Sequence, residues 1–525
     1  MDNSTNILKW YPFKENAKIL EIYDENSVID KLEKKLEVDK QQVKSLKLEE
    51  TYDYITLIGT YEYAPIVIDG EKPYSNFLKK LKEHLNKNGK ILLAIDNRLG
   101  IKYYAGAKNK YYSKIFGSVE SEIRQNKPNL LLKKELEKFI KEAGFNNYKF
   151  YYPVPDYKNA NSIFTDEFLP KSNHSKILYP VDYENGSIIV FNEIEAIKEI
   201  CDNDMFTCFT NSYLVEIGKE ELENDIKFVS YNNLRKEKYK LVLTICKNEV
   251  KKIAENKKSI SHIKNIEKNL EELNKLGFKT IEKVENEKII SNFMKEEELD
   301  KIIVNKIKQG EIEQTYKEIA NWYKYISERL EKAEEGEQSI FEKSNIEVPK
   351  EIINKMNFVK QGYIDLSFEN IFCKEDYVFY DQEWKFENVP LEFILYRALN
   401  NLYTYNARKI ETKIRKEELY NKFKINEFII YFEKLEKCIQ EEILDEETIQ
   451  EYRSKISSYY RNIEELEANY QKEVKDNKIL LERCKEIEEE KEKIKASYEK
   501  LLNEYNTSKG WKIIKGVRKV FGKGK

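Results

Sequence analysis

Three polar residues in the carboxyl-terminal half have types and spacing suited to chemistry on phosphate groups. Asp365 and Asn370 are separated by four residues, and Asp381 follows the short apolar segment 377–380. Phosphoryl transfer depends on positioning and charge neutralisation, which one carboxylate at the acceptor and a metal-binding Asn and Asp can provide. The D-x-x-x-x-N spacing lets the first two side chains face one site across a loop. The pattern predicts a phosphotransfer centre, and a β-hairpin with Asx-capped turns remains an alternative interpretation.

Antiparallel strands with one inserted helix precede these residues and would carry the other half of such a site. Apolar alternation and short polar turns predict the strands, and the turn Lys247-Asn248 predicts a tight hairpin. The predicted strands are 188–191, 212–217, 240–246, 249–254, 280–284 and 288–293. The helix between the two hairpins has apolar residues at helical spacing, at positions Ile260, Ile263, Ile266, Leu270 and Leu273.

Together these segments resemble the two lobes of protein kinases and of aminoglycoside-phosphotransferase-like enzymes. The resemblance implies ATP and Mg²⁺ as cofactors, with Asp365 as the acceptor-orienting base and with Asn370 and Asp381 as magnesium ligands. Tyr363 stands where the family has a histidine, and no glycine-rich loop occurs around residues 210–212. These two departures keep open a third interpretation, in which a kinase-like shell has lost its activity.

The same resemblance implies a lysine and a glutamate in the small lobe. Strand alternation turns Lys252 toward the nucleotide and Lys251 outward, so Lys252 is the predicted lysine. Its partner on the following helix would be Glu267 or Glu271, of which Glu267 is preferred. The residues predicted to line the adenine slot at the lobe junction are Asn292 and Met294.

The first 155 residues have the pattern of a parallel α/β sheet. Nearly continuous apolar strands are predicted at 18–23, 52–59 and 90–96. A helix is predicted over 74–88, ended by Asn88-Gly89, and another over 132–143, closed by Gly144. The strand–helix–strand order predicts helices that cover both faces of the sheet.

This segment resembles the class I S-adenosylmethionine (SAM)-dependent methyltransferases, through "ILEI", "YDYITLIGTYEYA" and "FLKKLKEHLNKNGKILLAIDNRLGIKYYAGA". Those families have a glycine-rich turn after the first strand, whereas the first glycine here is Gly59. Only 28 residues, 24–51, separate the first strand from the next recognisable one, so half of the sheet is predicted to be missing. SAM is therefore not expected to bind. Glu21 and Asp24 are the remaining acidic candidates near such a pocket.

Composition places few further restrictions on the function. The net charge of −3 provides no overall positive potential that would attract nucleic acid. The three dispersed His and six scattered Cys predict neither a zinc site nor disulfide bonds. No apolar run is long enough to span a bilayer, and no signal peptide is recognisable, so a cytoplasmic location is expected.

The carboxyl-terminal tail reads as a coiled coil followed by a basic amphipathic segment. Heptad positions a and d from Ile456 to Tyr505 are apolar except at Glu473, Asn477 and Lys491, which predicts a homo-oligomer. Trp511, Ile514, Val517 and Phe521 are predicted to form one apolar face among lysines, as in helices that lie on anionic membranes. A solitary charged helix and a disordered basic tail are the alternatives.

The predicted fold is α/β plus α+β: a truncated Rossmann-like sheet, a bilobal kinase-like domain and a long coiled-coil helix. The predicted parts are a methyltransferase-like domain at 1–155, a connector at 156–186, a small lobe at 187–294, a large lobe at 295–450, a coiled coil at 455–506 and a basic tail at 510–525.

This order resembles the bacterial surface-glycan proteins in which a methyltransferase precedes a kinase. The resemblance implies a phosphotransferase that acts on a hydroxyl of a glycan or a lipid-linked precursor, peripheral to the cell membrane. The alternatives are a non-catalytic scaffold that holds a glycosyltransferase partner and a SAM-dependent methyltransferase.

Overall fold

The structure is a computed structural model that describes residues 4–32, 34–120, 127–171, 188–189, 191–334, 338–450 and 461–521. The chain forms two compact units. One comprises residues 1–187 and 191–460, and the other comprises residues 188–190 and 461–525.

Four parallel strands begin the larger unit, in the spatial order β2-β1-β3-β4. They are β1 (Lys18–Tyr23), β2 (Glu37–Gln42), β3 (Tyr52–Ile58) and β4 (Leu85–Asp96). The apolar side chains of β1, β3 and β4 are buried on both faces, as expected for a parallel sheet between covering layers.

The strand β2 lies inside the 28 residues that were predicted to lack one, so that prediction is wrong in part. Residues 37–42 read EVDKQQ and pair with β1 in parallel at the edge of the sheet. An edge strand keeps polar side chains because one side of it meets solvent. This is why apolar periodicity did not reveal it.

Helices pack along the first sheet. They are α1 (Asn6–Lys9), α2 (Ala64–Val67), α3 (Pro73–Glu83), α4 (Ile101–Tyr104) and α5 (Lys133–Glu142). Gly144 follows α5 with φ +80°, as predicted for a left-handed helix end. The predicted end of α3 at Asn88-Gly89 is wrong, because the helix stops at Glu83 and both residues lie within β4.

Three more strands extend this sheet: β7 (Asn147–Val154), β8 (Ser162–Thr165) and β10 (Ser212–Gly218). Strand β10 inserts antiparallel between β4 and β7, so its assignment to the small lobe is wrong. Strand β8 lies in the predicted connector 156–186. The pattern of a buried strand does not specify which sheet it joins, and only tertiary pairing decides this.

The sheet continues without interruption into the second half, because β8 pairs with β11 (Phe228–Tyr231). The complete order is β15-β16-β13-β12-β11-β8-β7-β10-β4-β3-β1-β2. The added strands are β12 (Leu241–Ile245), β13 (Glu249–Ala254), β15 (Lys283–Glu285) and β16 (Lys288–Asn292), with helix α8 (Ile260–Lys275) between β13 and β15. Both predicted hairpins form.

A mainly helical region follows, with its own core around Trp322, Phe368 and Phe393. Its main helices are α9 (Leu299–Gln309), α10 (Ile312–Ser327), α13 (Leu391–Ile410), α14 (Lys416–Lys422) and α15 (Ile429–Ile443). Its strands are β17 (Phe358–Tyr363), β18 (Ile371–Cys373), β19 (Tyr377–Phe379) and β20 (Lys385–Pro390). The remaining short elements of this unit are β5 (Lys108–Asn109), β6 (Tyr112–Ile115), β14 (Lys279–Thr280), α6 (Glu193–Asp202), α7 (Phe206–Phe209), α11 (Ile340–Lys343) and α12 (Lys350–Ile353).

The smaller unit contains a long helix (Ile463–Thr507) and a terminal helix (Lys509–Phe521), with strands β9 (Ile188–Ile189) and β21 (Arg461–Asn462) paired in parallel. Residues 188–189 of the predicted strand 188–191 therefore belong to this unit rather than to the small lobe. In the described part of the chain, each helix is too short or too polar for a bilayer-spanning segment.

Candidate functional site

The first candidate site lies at the carboxyl ends of β1, β3 and β4. The chain leaves β1 toward β2 on one side, while β3 and β4 follow on the other, so the strand order reverses beside β1. Open α/β sheets bind ligands in the crevice at such a switch point. Thr60 closes this edge by donating its hydroxyl to the main-chain oxygen of Ile22, at 3.0 Å.

Glu62 is the most unusual residue at this edge. It follows β3, its side chain is fully buried, and neither carboxylate oxygen has a hydrogen-bond partner from another residue in the described part of the chain. Burial raises the pKa of Glu62 to about 7, against the lowering effect of Lys110. The hydroxyl of Tyr111 is also buried and has no hydrogen-bond partner among the residues that the structure describes, and its pKa is raised by burial and by Glu62. Unsatisfied buried carboxylates are costly, which marks this position as a candidate for ligand binding.

Glu21 and Asp24, the two acidic residues predicted near a cofactor pocket, are both engaged within the protein. Glu21 is buried and accepts bonds from the main-chain nitrogens of Val28 and Ile29 at 2.7 and 3.1 Å, which orders the turn after β1. Asp24 accepts the hydroxyl of Tyr63 at 2.6 Å. Partial burial raises the pKa of Asp24. The hydrogen bonds from Tyr63 and Lys44 together outweigh this effect, so the net shift of the pKa is downward.

A buried group of charges lies beside Glu62 at the end of β4. Lys102 donates to Asp96 at 2.6 Å and to Asp156 at 3.2 Å, and Lys158 lies 3.7 Å from Asp96. Burial raises the pKa of Asp96, but Lys102 and Lys158 lower it below its usual value. These residues hold the segments after β4 and β7 together at the edge of the crevice.

Gly59 allows an aromatic residue to approach the end of β3. It has φ +69°, and a Cβ there would lie 2.4 Å from the hydroxyl oxygen of Tyr157. The ring of Tyr157 is therefore seated against the turn that leads to Glu62, and the Lys110 ammonium donates to the Gly59 oxygen at 3.2 Å. A side chain at position 59 would displace Tyr157.

Sequence reasoning did not identify Glu62, Asp96, Lys102 or Asp156. A usable signal was present for two of them, because Glu62 follows the predicted strand 52–59 and Asp96 ends the predicted strand 90–96. In parallel sheets the carboxyl ends of neighbouring strands share one edge, so polar residues at those positions can converge.

The second candidate site contains the residues predicted for phosphotransfer. Asp365 is buried, and its carboxylate accepts the main-chain nitrogens of Glu383 and Trp384 at 3.1 and 2.9 Å. Burial raises the pKa of Asp365 to about 7, although Arg397, 3.8 Å away, lowers it. The side-chain nitrogen of Asn370 donates to the main-chain oxygen of Asp365 at 3.0 Å, which fixes the loop between them.

Lys252 faces inward as predicted, but its carboxylate partners are different. It donates to Glu282 at 2.7 Å and forms a very short contact with Asp381. Glu267 was the preferred partner and is not one of them, because Glu282 enters from the turn before β15. Burial lowers the pKa of Lys252, but Asp381 and Glu282 raise it to a net value above normal.

A second cation lies in the second candidate site, and the group of charges around Lys252, Asp381 and Glu383 is called the cleft from here on. Arg235, in the turn between β11 and β12, forms an ion pair with Glu383, and His262 lies 3.1 Å from the same carboxylate. The main-chain nitrogen of Lys236 donates to Ile443 at 2.9 Å, so this turn is also seated on the end of α15. The charges in the cleft are thus paired mainly with one another.

Asn292 and Met294, predicted to line an adenine slot, follow the hairpin near the start of the helical region. Asn292 is exposed at the end of β16 and pairs in register with Glu249, whereas Met294 is half-buried. In the described residues, no group of three or more His, Cys, Asp or Glu has the geometry to hold a metal ion.

No protein-family model and no curated protein matches this chain. Solved structures that match include a SAM-dependent methyltransferase from Thermotoga maritima, described as a possible histamine N-methyltransferase. It is 14% identical, the match covers 42% of this chain and 88% of that one, and the TM-score is 0.23.

Two other matching structures are of the same class. A SAM-dependent methyltransferase from Archaeoglobus fulgidus is 13% identical over 41% of this chain and 92% of that one, with a TM-score of 0.23. The plantazolicin methyltransferase BamL, solved with S-adenosylhomocysteine (SAH), is 8% identical over 42% of this chain and 82% of that one, also with a TM-score of 0.23.

These matches contradict the prediction about cofactors. ATP and Mg²⁺ were expected and SAM was not, whereas the matching proteins are SAM-dependent methyltransferases. The likeness concerns a methyltransferase-like α/β domain. Neither a kinase activity nor a surface-glycan context receives support from it, and the glycan acceptor and the glycosyltransferase partner remain predictions.

Proposed function

We propose that the amino-terminal half binds SAM in the crevice beside β1 and transfers its methyl group to an acceptor. The observation that carries this proposal is Glu62, a fully buried carboxyl group with no hydrogen-bond partner in the described residues, at the switch point of an α/β sheet. We choose SAM as the cofactor because the matching solved structures are SAM-dependent methyltransferases.

Glu62 is suited to move a proton. A group with a pKa of about 7 is partly ionised at neutral pH, so it can accept a proton from a hydroxyl or amine and later release it. The complete burial that raises its pKa also excludes water, which strengthens interactions with a reacting group. We assign Glu62 the role of base toward the methyl acceptor.

Other residues at the same edge would hold the cofactor. Asp24, directly after β1, keeps a negative charge near the crevice, and Gly59 lets the ring of Tyr157 pack closely against the end of β3. SAM, when bound, supplies an activated methyl group on a sulfonium. The ordered turn beneath Glu21 takes the place of a glycine-rich turn.

The test is SAH and SAM binding to the full chain by calorimetry, with Glu62→Gln and the exposed Glu71→Gln as a matched control. We expect binding to the wild type and to both variants, and methyl transfer from labelled SAM to a cell extract to fall at least 100-fold only in Glu62→Gln. Absence of SAM and SAH binding to the wild type at millimolar concentration contradicts the cofactor proposal. Unchanged transfer in Glu62→Gln contradicts the role of Glu62.

We further propose that the second half is a non-catalytic scaffold rather than a phosphotransferase. The supporting observation is that Lys252 and Arg235 are already paired with Glu282, Asp381 and Glu383 within the cleft. Buried charges paired in this way hold two surfaces together, and removal of one partner leaves an uncompensated charge.

We also propose that the terminal helix attaches the protein to anionic membranes. It exposes an apolar face made of Ile513, Ile514, Val517, Val520 and Phe521, at 48–81% exposure. The 17 residues from Lys509 contain cations and no acidic residue. Trp511, predicted to share that face, instead packs on Tyr505 with ring centroids 4.6 Å apart. An exposed apolar face with flanking lysines is typical of interfacial helices.

A further inference from the structure

The long helix has an apolar stripe that is not covered in the described part of the chain. At successive d positions of the heptad, Leu480, Ile487, Ile494 and Leu501 are 57–70% exposed, although such side chains are usually buried. Burial of each would contribute about 1.5–3 kcal/mol. A stripe of this length on a 45-residue helix has the geometry of one strand of a coiled coil.

We propose that this stripe is covered by the long helix of a second copy, lying parallel and in register. The inference is independent of the proposed methyl transfer. In a parallel pair, each g position lies beside the e position five residues further along the other helix. Arg483 would then face Glu488 of the second copy, and Glu490 would face Lys495. Both pairs are attractive and each forms twice.

The remaining flanking positions contain no opposed like charges in this arrangement. The g and e residues that would meet are Asn469 with Val474, Asp476 with Leu481, and Ser497 with Leu502. Asn477 at position a would meet its own copy, and a single core Asn is a known determinant of register in parallel dimers. The charge pattern therefore selects a second copy of this helix as the partner.

The antiparallel arrangement is less favourable. Centred near residue 482, it pairs Glu473 with Lys491 in the core, but it opposes Arg483 to Arg483 and Asp476 to Glu490 along the flank. In the parallel arrangement Glu473 and Lys491 face their own copies, and their long side chains can reach solvent at the rim. The parallel pair removes every flanking repulsion, so we favour it.

The test uses disulfide formation in the full chain with Cys484→Ser as background. Tyr498→Cys places a thiol at a core position that meets itself only in the parallel pair. In the antiparallel pair residue 498 would lie opposite residue 466, about 48 Å along the helix from its copy. Ala496→Cys, on the outer face of the same turn, is the matched control and shares the remaining native cysteines.

We expect a dimer by sedimentation and a covalent dimer with Tyr498→Cys but not with Ala496→Cys. Arg483→Glu should weaken dimerisation about tenfold, and Arg483→Glu with Glu488→Arg should restore it. A monomer, a trimer, or a dimer without the Tyr498→Cys crosslink overturns the proposal. Equal crosslinking by both cysteine variants overturns it as well, because it indicates random collision.

Discussion

Glu62 and Asp365 are both buried carboxyl groups whose pKa is raised to about 7 by burial. They differ in what surrounds them. Asp365 accepts two main-chain nitrogens and has Arg397 nearby, whereas the oxygens of Glu62 have no partner in the described residues. A satisfied carboxylate contributes to local structure. An unsatisfied one destabilises the fold in its ionised form, which suggests that it is kept for function.

At the residue scale, we predict that Glu62→Gln stabilises the protein at pH 8 but not at pH 4.5. The folded pKa of Glu62, about 7, lies above its unfolded value of 4.5, so the stability provided by the protonated form is lost as the pH rises to 7. The loss is about 3 kcal/mol, and the neutral glutamine avoids it. Urea unfolding at both pH values measures the difference. Glu71→Gln is the control, and an equal effect of Glu62→Gln at both pH values would contradict the prediction.

At the scale of elements, the edges and ends of the secondary structure differ most from the sequence predictions. Strand β2 pairs with β1 through backbone hydrogen bonds while most of its side chains are polar, so no apolar pattern in the sequence predicted it. The terminal helix shows the opposite case. Its apolar residues are recognisable in the sequence, but Trp511 packs on Tyr505 and does not join the exposed apolar face. The face left for a membrane is narrower and centres on Val517.

We predict that the full chain co-sediments with phosphatidylglycerol vesicles and not with phosphatidylcholine vesicles. Binding should weaken as the salt concentration rises from about 0.05 to 0.5 M, because salt screens the attraction between the lysines and the anionic headgroups. Val517→Asp should reduce binding about tenfold, whereas Gly516→Asp, which adds the same charge outside the apolar face, should reduce it less. Equal loss in both variants would show that charge alone governs attachment.

At the scale of the whole larger unit, one sheet of twelve strands joins the two halves through β8 and β11. The cleft in the second half is closed by ion pairs that connect β13 and the β11–β12 turn to the segment around Glu383. The amino-terminal half is therefore continuous in its backbone hydrogen bonds with the scaffold that we propose. A change in the cleft can affect the stability of the unit as a whole.

We predict that Lys252→Met lowers the free energy of unfolding by about 3 kcal/mol at pH 7, because Glu282 is left buried without its cation. The control is Lys251→Met on the outer face of the same strand. Adding Glu282→Gln should recover part of the loss, since the uncompensated charge is then removed. Urea unfolding of the wild type and the three variants measures these differences, and an unchanged free energy of unfolding in Lys252→Met would argue against a structural role of the network.

The sequence by itself determined the strands and helices that are marked by a continuous apolar run or by a regular alternation or helical spacing. These include β1, β3, β13, α5 and α8, as well as the inward direction of Lys252, because alternation and helical spacing reflect burial directly. The heptads of the long helix were equally readable.

Only the tertiary structure decided which strands are neighbours and which charges meet. The apolar sequence of strand β10 is compatible with either part of the sheet, so only tertiary pairing placed it beside β4. Glu282 becomes the partner of Lys252 only because the turn before β15 passes close to β13. The isolation of Glu62 could not be predicted for the same reason. A missing hydrogen bond depends on every segment that packs around a side chain, and these segments come from distant parts of the chain.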